Sequence, residues 1–310
     1  MRAFVDLHLH IDGSISLENA RQLASLQQIA IPDSEDALRS LLQVRDGCCD
    51  LNEFLGKFSF PCSLLQTKEA LKKATETLLK ELHAQQVSYA ELRFAPQKHS
   101  DTLCQKQAIE AVLEGMAKGP IPSALILCCM RDKGNEEENL ETLSLAKEFQ
   151  GKGVVAIDLA GAEALYKTNE FGYIFEKARK ENIPFTIHAG EADGPQSIWD
   201  AINFGATRIG HGIRAIEDPV LMEELAKRKI PLELCPTSNV CTGLYKDLRD
   251  YPLRAFLDKG IVVTINTDDM SVCGTTLSLE FEKLKEALQL TGEEIAVLQE
   301  NAQKAAFSKE

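Results

Sequence analysis

The residues Asp6-Leu7-His8-Leu9-His10-Ile11-Asp12-Gly13-Ser14 follow a short apolar opening, Ala3-Phe4-Val5, and read as the end of a strand running into a glycine turn. Side chains two apart in a strand project to the same side. His8 and His10 therefore point together and make half of a metal site, so the other half has to come from later segments. The alternative is one satisfied core histidine and one surface histidine, and the pair alone does not decide between them.

Downstream, short β-rich runs alternate with helical segments. The runs are 88–94, 123–130, 153–159, 183–188, 206–211, 230–235 and 261–268, with helices expected over 102–118, 135–151, 170–182, 195–205, 217–229 and 250–259. Together with the first strand this makes eight, and alternation on that scale predicts an α/β chain folded as a (β/α)8 barrel. Length over about 150 residues per domain would allow two domains, but barrels of this kind run as one, so residues 1–310 are expected to form a single barrel domain. Residues 15–87 form a helical insertion after the first strand. Within it, Asp33-Ser34-Glu35-Asp36 after Pro32 marks a helix start. Ala70, Leu71, Ala74, Leu78, Leu79 and Leu82 fall on one helical face. Leu51, Phe54, Leu55 and Phe58 also share a face, and ordinary core packing is the usual meaning of such a stripe. Thr291-Gly292-Glu293-Glu294 is a capping box that opens a last helix reaching to about Phe307.

Several runs end on a polar residue where a strand buried on both faces should be nearly all apolar. Residues 183–188 end in His188, 206–211 in His211 and 261–268 in Asp268. Residues at the C-terminal ends of barrel strands face the active site. His8, His10, His188, His211 and Asp268 are thus delivered to one mouth. Four of the six histidines collect there, leaving only His83 and His99 elsewhere. Imidazole nitrogen with carboxylate oxygen suits Zn²⁺, with other divalent ions left open. A catalytic zinc keeps a position for water and makes that water a nucleophile near neutral pH. Glu191, three residues past His188, is a carboxylate able to serve as general acid or base beside such a centre. Glu91 and Arg93 lie on one side of the second strand and are expected to form a paired charge layer inside the barrel.

Composition narrows the partners. The chain is 44% hydrophobic and 26% charged with net charge −13, which argues against nucleic acid or an anionic membrane as the main partner. No charged-then-apolar leader opens it, and no apolar run approaches the ~18 residues of a membrane span. Nine cysteines, including the adjacent pairs Cys48-Cys49 and Cys128-Cys129 but no CxxC, read as free thiols in a reducing cytoplasm. The pair Cys128-Cys129 lies in an apolar run and is expected to pack rather than react.

The segments HLHIDGS (8–14), DLAG (158–161), HAGE (188–191), RIGHG (208–212), LCPTSN (234–239) and NTDD (266–269) together resemble the adenosine deaminase family of metal-dependent barrel hydrolases, and YAELRFAP (89–96) resembles its second strand. The resemblance implies one zinc per chain held by His8, His10, His188 and Asp268, with His211 and Asp268 orienting and deprotonating water. It implies that Glu191 protonates N1 of a purine, that the Gly161 N–H meets N3, that Asp269 pairs with N7 and that Asp12 binds the ribose 5′ hydroxyl. Leu51, Phe54, Leu55 and Phe58 would then be an apolar lid over a small-molecule purine nucleoside, and the products would be inosine and ammonia. His10 would border the substrate as well as the metal.

Breaking aromaticity at C6 needs a strong nucleophile on one side and ring protonation on the other, which is the chemistry these residue types offer. The H-x-E and P-C-x-x-C signature of the other zinc deaminase design is absent. Ala162 departs from relatives that carry an acid after DLAG, leaving loop detail open. The alternatives are a deaminase of adenine or of a modified adenosine, a two-metal barrel hydrolase, and a non-catalytic binding protein on the same fold. Leu159-Ala160-Gly161 offers no bridging ligand for a second metal, and a non-catalytic protein predicts a broken site. Oligomeric state is not legible.

Overall fold

Pro184 and Pro231 have no N–H to give to a ladder, and each stands early in one of the expected strands. The strands that follow them are accordingly short in the computed structural model, which describes residues 4–45, 51–100 and 102–308. The strands are β1 (Phe4–His10), β2 (Val87–Phe94), β3 (Ser123–Arg131), β4 (Val154–Gly161), β5 (His188–Ala189), β6 (Ile209–His211), β7 (Leu232–Leu234) and β8 (Val263–Ile265). They pair in parallel as two four-stranded sheets, in the orders β1-β2-β3-β4 and β5-β6-β7-β8.

The two sheets join at both edges. At one seam Ile157 N–H donates to the Pro184 carbonyl and Thr186 N–H to the Ile157 carbonyl. At the other, His10 N–H donates to the Asp268 carbonyl and Asp268 N–H to the His8 carbonyl, each at 2.8 Å. The eight strands therefore circle into the expected (β/α)8 barrel. Side chains tighten the second seam: Leu7 N–H donates to Asn266 Oδ1, and the Thr267 hydroxyl donates to Asp6 Oδ2.

The expected barrel helices are present as Gln105–Met116, Glu136–Phe149, Gly172–Lys180, Pro195–Phe204, Pro219–Arg228 and Leu253–Asp258. Thr291 caps Gly292–Ala305 through the expected capping box. Between β1 and β2 run Leu17–Gln27, Glu35–Leu42, Leu51–Leu55, Ser59–Ser63 and Lys68–Ala84. Ser34 and Thr67 cap two of these, at the starts that the sequence marks. The helix Leu277–Leu288, capped by Thr276, is an element that the sequence reading did not include. The expected pair Cys48-Cys49 lies outside the described residues, whereas Cys128 and Cys129 are buried in β3 as packing residues.

Beneath the mouth lies a layer of buried charge. Arg93 donates to Asp158 Oδ2 at 2.7 Å and to Glu233 Oε2 at 2.9 Å. Arg208 donates to Glu91 Oε2 at 2.6 Å and to Glu233 Oε1 at 2.7 Å. Glu91 and Arg93 thus belong to a charge layer, but each pairs across the barrel rather than with the other. Buried ion pairs of this kind gain little over apolar packing. Their effect here is positional, because two of the carboxylates reach up to the histidines.

Candidate active site

The five expected donors leave strand ends on one side of the barrel. His8 and His10 finish β1, His188 begins β5, His211 finishes β6, and Asp268 stands three residues past β8. The backbones of His8, His10 and Asp268 themselves form the β8–β1 seam, which fixes these three residues against one another. His211 and Asp268 have φ of 56° and 63°, in the left-handed region that few non-glycine residues occupy. Strain of that kind collects at functional positions, where surrounding structure holds it.

Four donor atoms converge. His8 Nε2 lies 3.0 Å from His188 Nε2 and 3.3 Å from Asp268 Oδ1. His10 Nε2 lies 3.3 Å from His188 Nε2 and 3.5 Å from Asp268 Oδ1. Tetrahedral ligands at zinc bond lengths are about 3.3 Å apart. The other ring nitrogens are committed elsewhere. His8 Nδ1 is 2.7 Å from Glu233 Oε2, and His188 Nδ1 is 2.8 Å from Asp158 Oδ2, at an angle short of ideal hydrogen-bond geometry. Carboxylates behind histidines hold the proton on Nδ1 and turn the Nε2 lone pair to a metal. The residues present therefore fit a divalent ion with nitrogen and oxygen ligands.

His211 stands between these donors and Glu191. Its Nε2 is 3.8 Å from Asp268 Oδ2 and 3.7 Å from Glu191 Oε2. The Tyr251 hydroxyl donates to Asn239 Oδ1, which turns the Asn239 amide nitrogen to His211 Nδ1 at 3.3 Å. That contact makes the Nε2–H tautomer the favoured one, with its proton aimed into the cavity. Burial pushes the His211 imidazole well below its usual range, keeping it neutral. Burial, then the Asp268 and Glu163 carboxylates, push Glu191 well above the usual range, opposed by Arg131. Burial and these two charges thus favour the protonated form of Glu191. Burial and the Asp268 charge push Asp269 up as well.

A cavity of about 440 Å³ opens over this group. It is lined by His10, Asp12, Gly161, His188, Glu191 and Asp269, with His211 and Asp268 also on its wall. All four residues of the apolar stripe, Leu51, Phe54, Leu55 and Phe58, line it too. Gly13 is required beside it: a Cβ there would sit 1.7 Å from Asp269 Oδ1. Gly161 has φ of 108° at the end of β4, which a side chain would strain. Asp12 is buried and its Oδ1 has no partner. It lies in a short 3-10 turn whose first amides receive no side-chain cap. Its Oδ2 accepts from Cys62 Sγ and is 3.8 Å from the buried His99. Burial pushes Asp12 up to about 6 and His99 down to about 4.

Three kinds of residue behind the site escaped the sequence reading. Glu233 and Asp158 carry the histidines, and their signal is a charge inside a parallel strand that should be apolar. His99 appeared to stand apart from the histidines at strand ends but touches the Asp12 side of the cavity. Glu163, directly after Ala162, is the buried acid of the β4 loop, and its carboxylate accepts from the backbone amides of Gly190, Glu191, Ala192 and Asp193. Among the described residues, no helix is long and apolar enough to cross a membrane.

A parallel eight-stranded barrel with this donor set at its C-terminal mouth defines a metal-dependent hydrolase of the amidohydrolase kind. The sequence profile described as Adenosine deaminase matches residues 4–310. An adenosine deaminase of Haemophilus ducreyi is 47% identical over 313 residues, covering 98% of this chain and 91% of its own. One of Enterococcus faecalis is 39% identical over 309 residues, with 98% and 91% covered. Among solved structures, adenine deaminase of Arthrobacter aurescens superposes with a TM-score of 0.90 at 28% identity, over 99% of this chain and 94% of that one. The chain belongs to the adenosine deaminase family and is a hydrolytic deaminase.

Proposed function

We propose that the protein hydrolyses adenosine and 2′-deoxyadenosine at C6, releasing ammonia and the corresponding inosine, with one Zn²⁺ per chain held by His8, His10, His188 and Asp268. The observation that carries this reading is Glu191: a buried carboxyl, its protonated form favoured by its surroundings, on the same cavity as four convergent metal donors. When bound, the ion supplies a water of lowered pKa. Glu191 delivers a proton to N1 and makes C6 electrophilic. Asp268 divides its oxygens, Oδ1 toward the metal donors and Oδ2 toward His211. Asp268 would take a proton from the attacking water while the Nε2–H of His211 donates to the oxygen on which charge develops. Asp268 would then pass that proton to the C6 amine, the C6–N bond would break to release ammonia, and the C6 hydroxyl proton would return to Glu191. Asp269 meets N7, the Gly161 N–H meets N3, and Asp12 accepts from the ribose 5′ hydroxyl. Leu51, Phe54, Leu55 and Phe58, on a helical insertion to one barrel domain, close over the nucleoside and exclude water. The described cysteines are free thiols, as a reducing cytoplasm keeps them, which supports a cytoplasmic location.

A second reading, deamination of adenine or of a modified adenosine, has behind it the likeness of fold to an adenine deaminase at 28% identity and to an N6-methyl-AMP deaminase at 26% identity. Ammonia release from adenosine, 2′-deoxyadenosine, adenine and adenosine monophosphate separates the two. Turnover of both nucleosides well above the base and the nucleotide is expected; a preference for adenine overturns the nucleoside assignment. Glu191→Gln tests the acid. It should keep its metal and lose about 10²–10⁴-fold in turnover, and activity within a few-fold of wild type would defeat the mechanism.

A further inference from the structure

β5 has only two residues in its ladder, so its sheet bonds end at Ala189, just before the catalytic loop begins. On the β6 side the loop still has backbone partners: Gly212 N–H donates to the Ala189 carbonyl and Arg214 N–H to the Gly190 carbonyl. On the β4 side a single side chain takes over the role of a strand. Glu163 Oε1 accepts from Gly190 N–H at 2.7 Å and from the Ser197 hydroxyl. Its Oε2 accepts from the amides of Glu191, Ala192 and Asp193 at 2.9, 2.7 and 3.0 Å. Four consecutive amides turned to one carboxylate form an anion nest, and here the anion belongs to the protein. The same network reaches back to the metal side. Arg131 donates to the His188 carbonyl at 2.6 Å and to the Thr168 hydroxyl at 2.9 Å, and Thr168 hydrogen-bonds Ser197.

We propose that Glu163 is a positioning residue for the deamination: its carboxylate, by binding the amides of residues 190–193, holds the Glu191 carboxyl in line with the purine N1. The negative charge is part of the device. It is the second carboxylate, after Asp268, that favours the protonated form of Glu191, so one group both aims the acid and keeps it loaded. The inference rests on Glu191 being the acid. The clamp is formed at Glu163, one position after Ala162, so the residue at 162 takes no part in it.

The test compares Glu163→Gln, Glu163→Asp and Ser197→Ala as metal-loaded, full-length proteins. Glutamine turns one oxygen into a donor that faces donors, so the nest cannot be satisfied. Displacements of about 1 Å at a reacting group cost about 10²-fold. In Glu163→Gln, kcat for adenosine should fall about 10–100-fold, with its KM and the inhibition constant of inosine changing less than about threefold and metal content retained. Glu163→Asp keeps the charge and should recover part of the lost kcat. Ser197→Ala removes the hydroxyl's hydrogen bonds to Glu163 and Thr168 and should lower kcat, by less than Glu163→Gln does, with KM and metal content kept; where Glu163→Gln does not fold, a wild-type kcat in Ser197→Ala overturns the proposal. A Glu163→Gln protein with wild-type kcat overturns the proposal. So does one that loses metal, substrate affinity and turnover together, or an Asp variant no better than Gln, since those outcomes mark a purely structural role. Glu191→Gln in the same assay separates the two claims: if it is inactive while Glu163→Gln is normal, only the positioning role fails, and if it is active the acid assignment fails first.

Discussion

His8 Nε2 and His188 Nε2 stand 3.0 Å apart, and the Nδ1 of each ring faces its own carboxylate. A neutral imidazole has one N–H, and Glu233 and Asp158 hold that proton at the back of each ring. Rings held this way, with Asp268 Oδ1 beside them, suit a divalent cation between them. Removal of metal with a strong chelator should therefore abolish deamination and lower the melting temperature, and one equivalent of Zn²⁺ should restore both. Occupancy at about a thousand times Kd corresponds to about 4 kcal/mol of stabilisation. Elemental analysis and thermal scans check this; full activity in metal-free protein, or two tightly held ions per chain, contradicts it.

The carboxylate behind His8 offers a sharper test, because Glu233 belongs to two systems at once. It holds the His8 ring, and it accepts from both Arg93 and Arg208. Glu233→Gln leaves two buried guanidinium groups short of an anion. Breaking a buried pair costs about 3–5 kcal/mol, and losing the carboxylate behind a metal-bound histidine typically weakens the metal about 10–100-fold. Urea unfolding of the metal-free protein reads the first effect, and competition with a zinc indicator reads the second. A stability loss with unchanged zinc affinity would mean that the Glu233–His8 contact does not tune the site.

The barrel and the donor set were legible because both leave periodic or positional marks. β-rich runs alternate with helices, and His188, His211 and Asp268 each end a run that is otherwise suited to burial. What lies behind the donors left weaker marks. Glu233 and Asp158 read as isolated charges in apolar strands, and only the closed barrel brings each against a histidine. Glu163 has no sequence signature, since its partners are backbone amides and any residues could supply them. His99 is far along the chain from Asp12, and their contact depends on how the β2 loop folds back. Strand lengths were overestimated throughout the second sheet, in β6 and β8 as well as in the two runs that carry Pro184 and Pro231.

The two perturbed groups that flank the reacting carbon set the pH dependence. Glu191 must be protonated to act, and its carboxyl is raised by burial and by the neighbouring Asp268 and Glu163 charges. Activity governed by it is present at low pH and is lost as pH rises through that raised value. His211 must be neutral, and burial lowers it. It stays unprotonated well below the ordinary histidine value of about 6.5, and activity is lost as pH falls through the lowered value. The profile of kcat/KM for adenosine should therefore be a bell, its alkaline limb set by the raised Glu191 carboxyl and its acid limb by the lowered His211 imidazole. In Glu191→Gln the alkaline limb should disappear from the residual activity. An acid limb near the ordinary histidine value, or an alkaline limb that survives in Glu191→Gln, argues against these assignments.

The proposed preference for a nucleoside over a base turns on Asp12. Its carboxylate is buried, borders the cavity, and has an oxygen without a partner. A residue serving only to start the turn at 12–14 would cap an amide there, whereas Asp12 Oδ1 has no hydrogen-bond partner and Oδ2 accepts from Cys62 Sγ. The amides of Asp12 and Gly13 lie near enough to favour its anion without completing hydrogen bonds. A sugar hydroxyl would satisfy the free oxygen, and a hydrogen bond to a charged group is worth roughly 1.5–3 kcal/mol. Asp12→Ala should therefore lower kcat/KM for adenosine by about 10- to 200-fold, using about 1.4 kcal/mol per factor of ten. Activity on adenine, which has no sugar to hold, should change far less. Asp12→Asn retains an acceptor and should fall between the two. A melting curve run on each variant guards against a folding defect, because a lost turn would depress both substrates together. Equal losses on adenosine and adenine would assign Asp12 to the turn, and the sugar would then have to be held by other residues of the cavity.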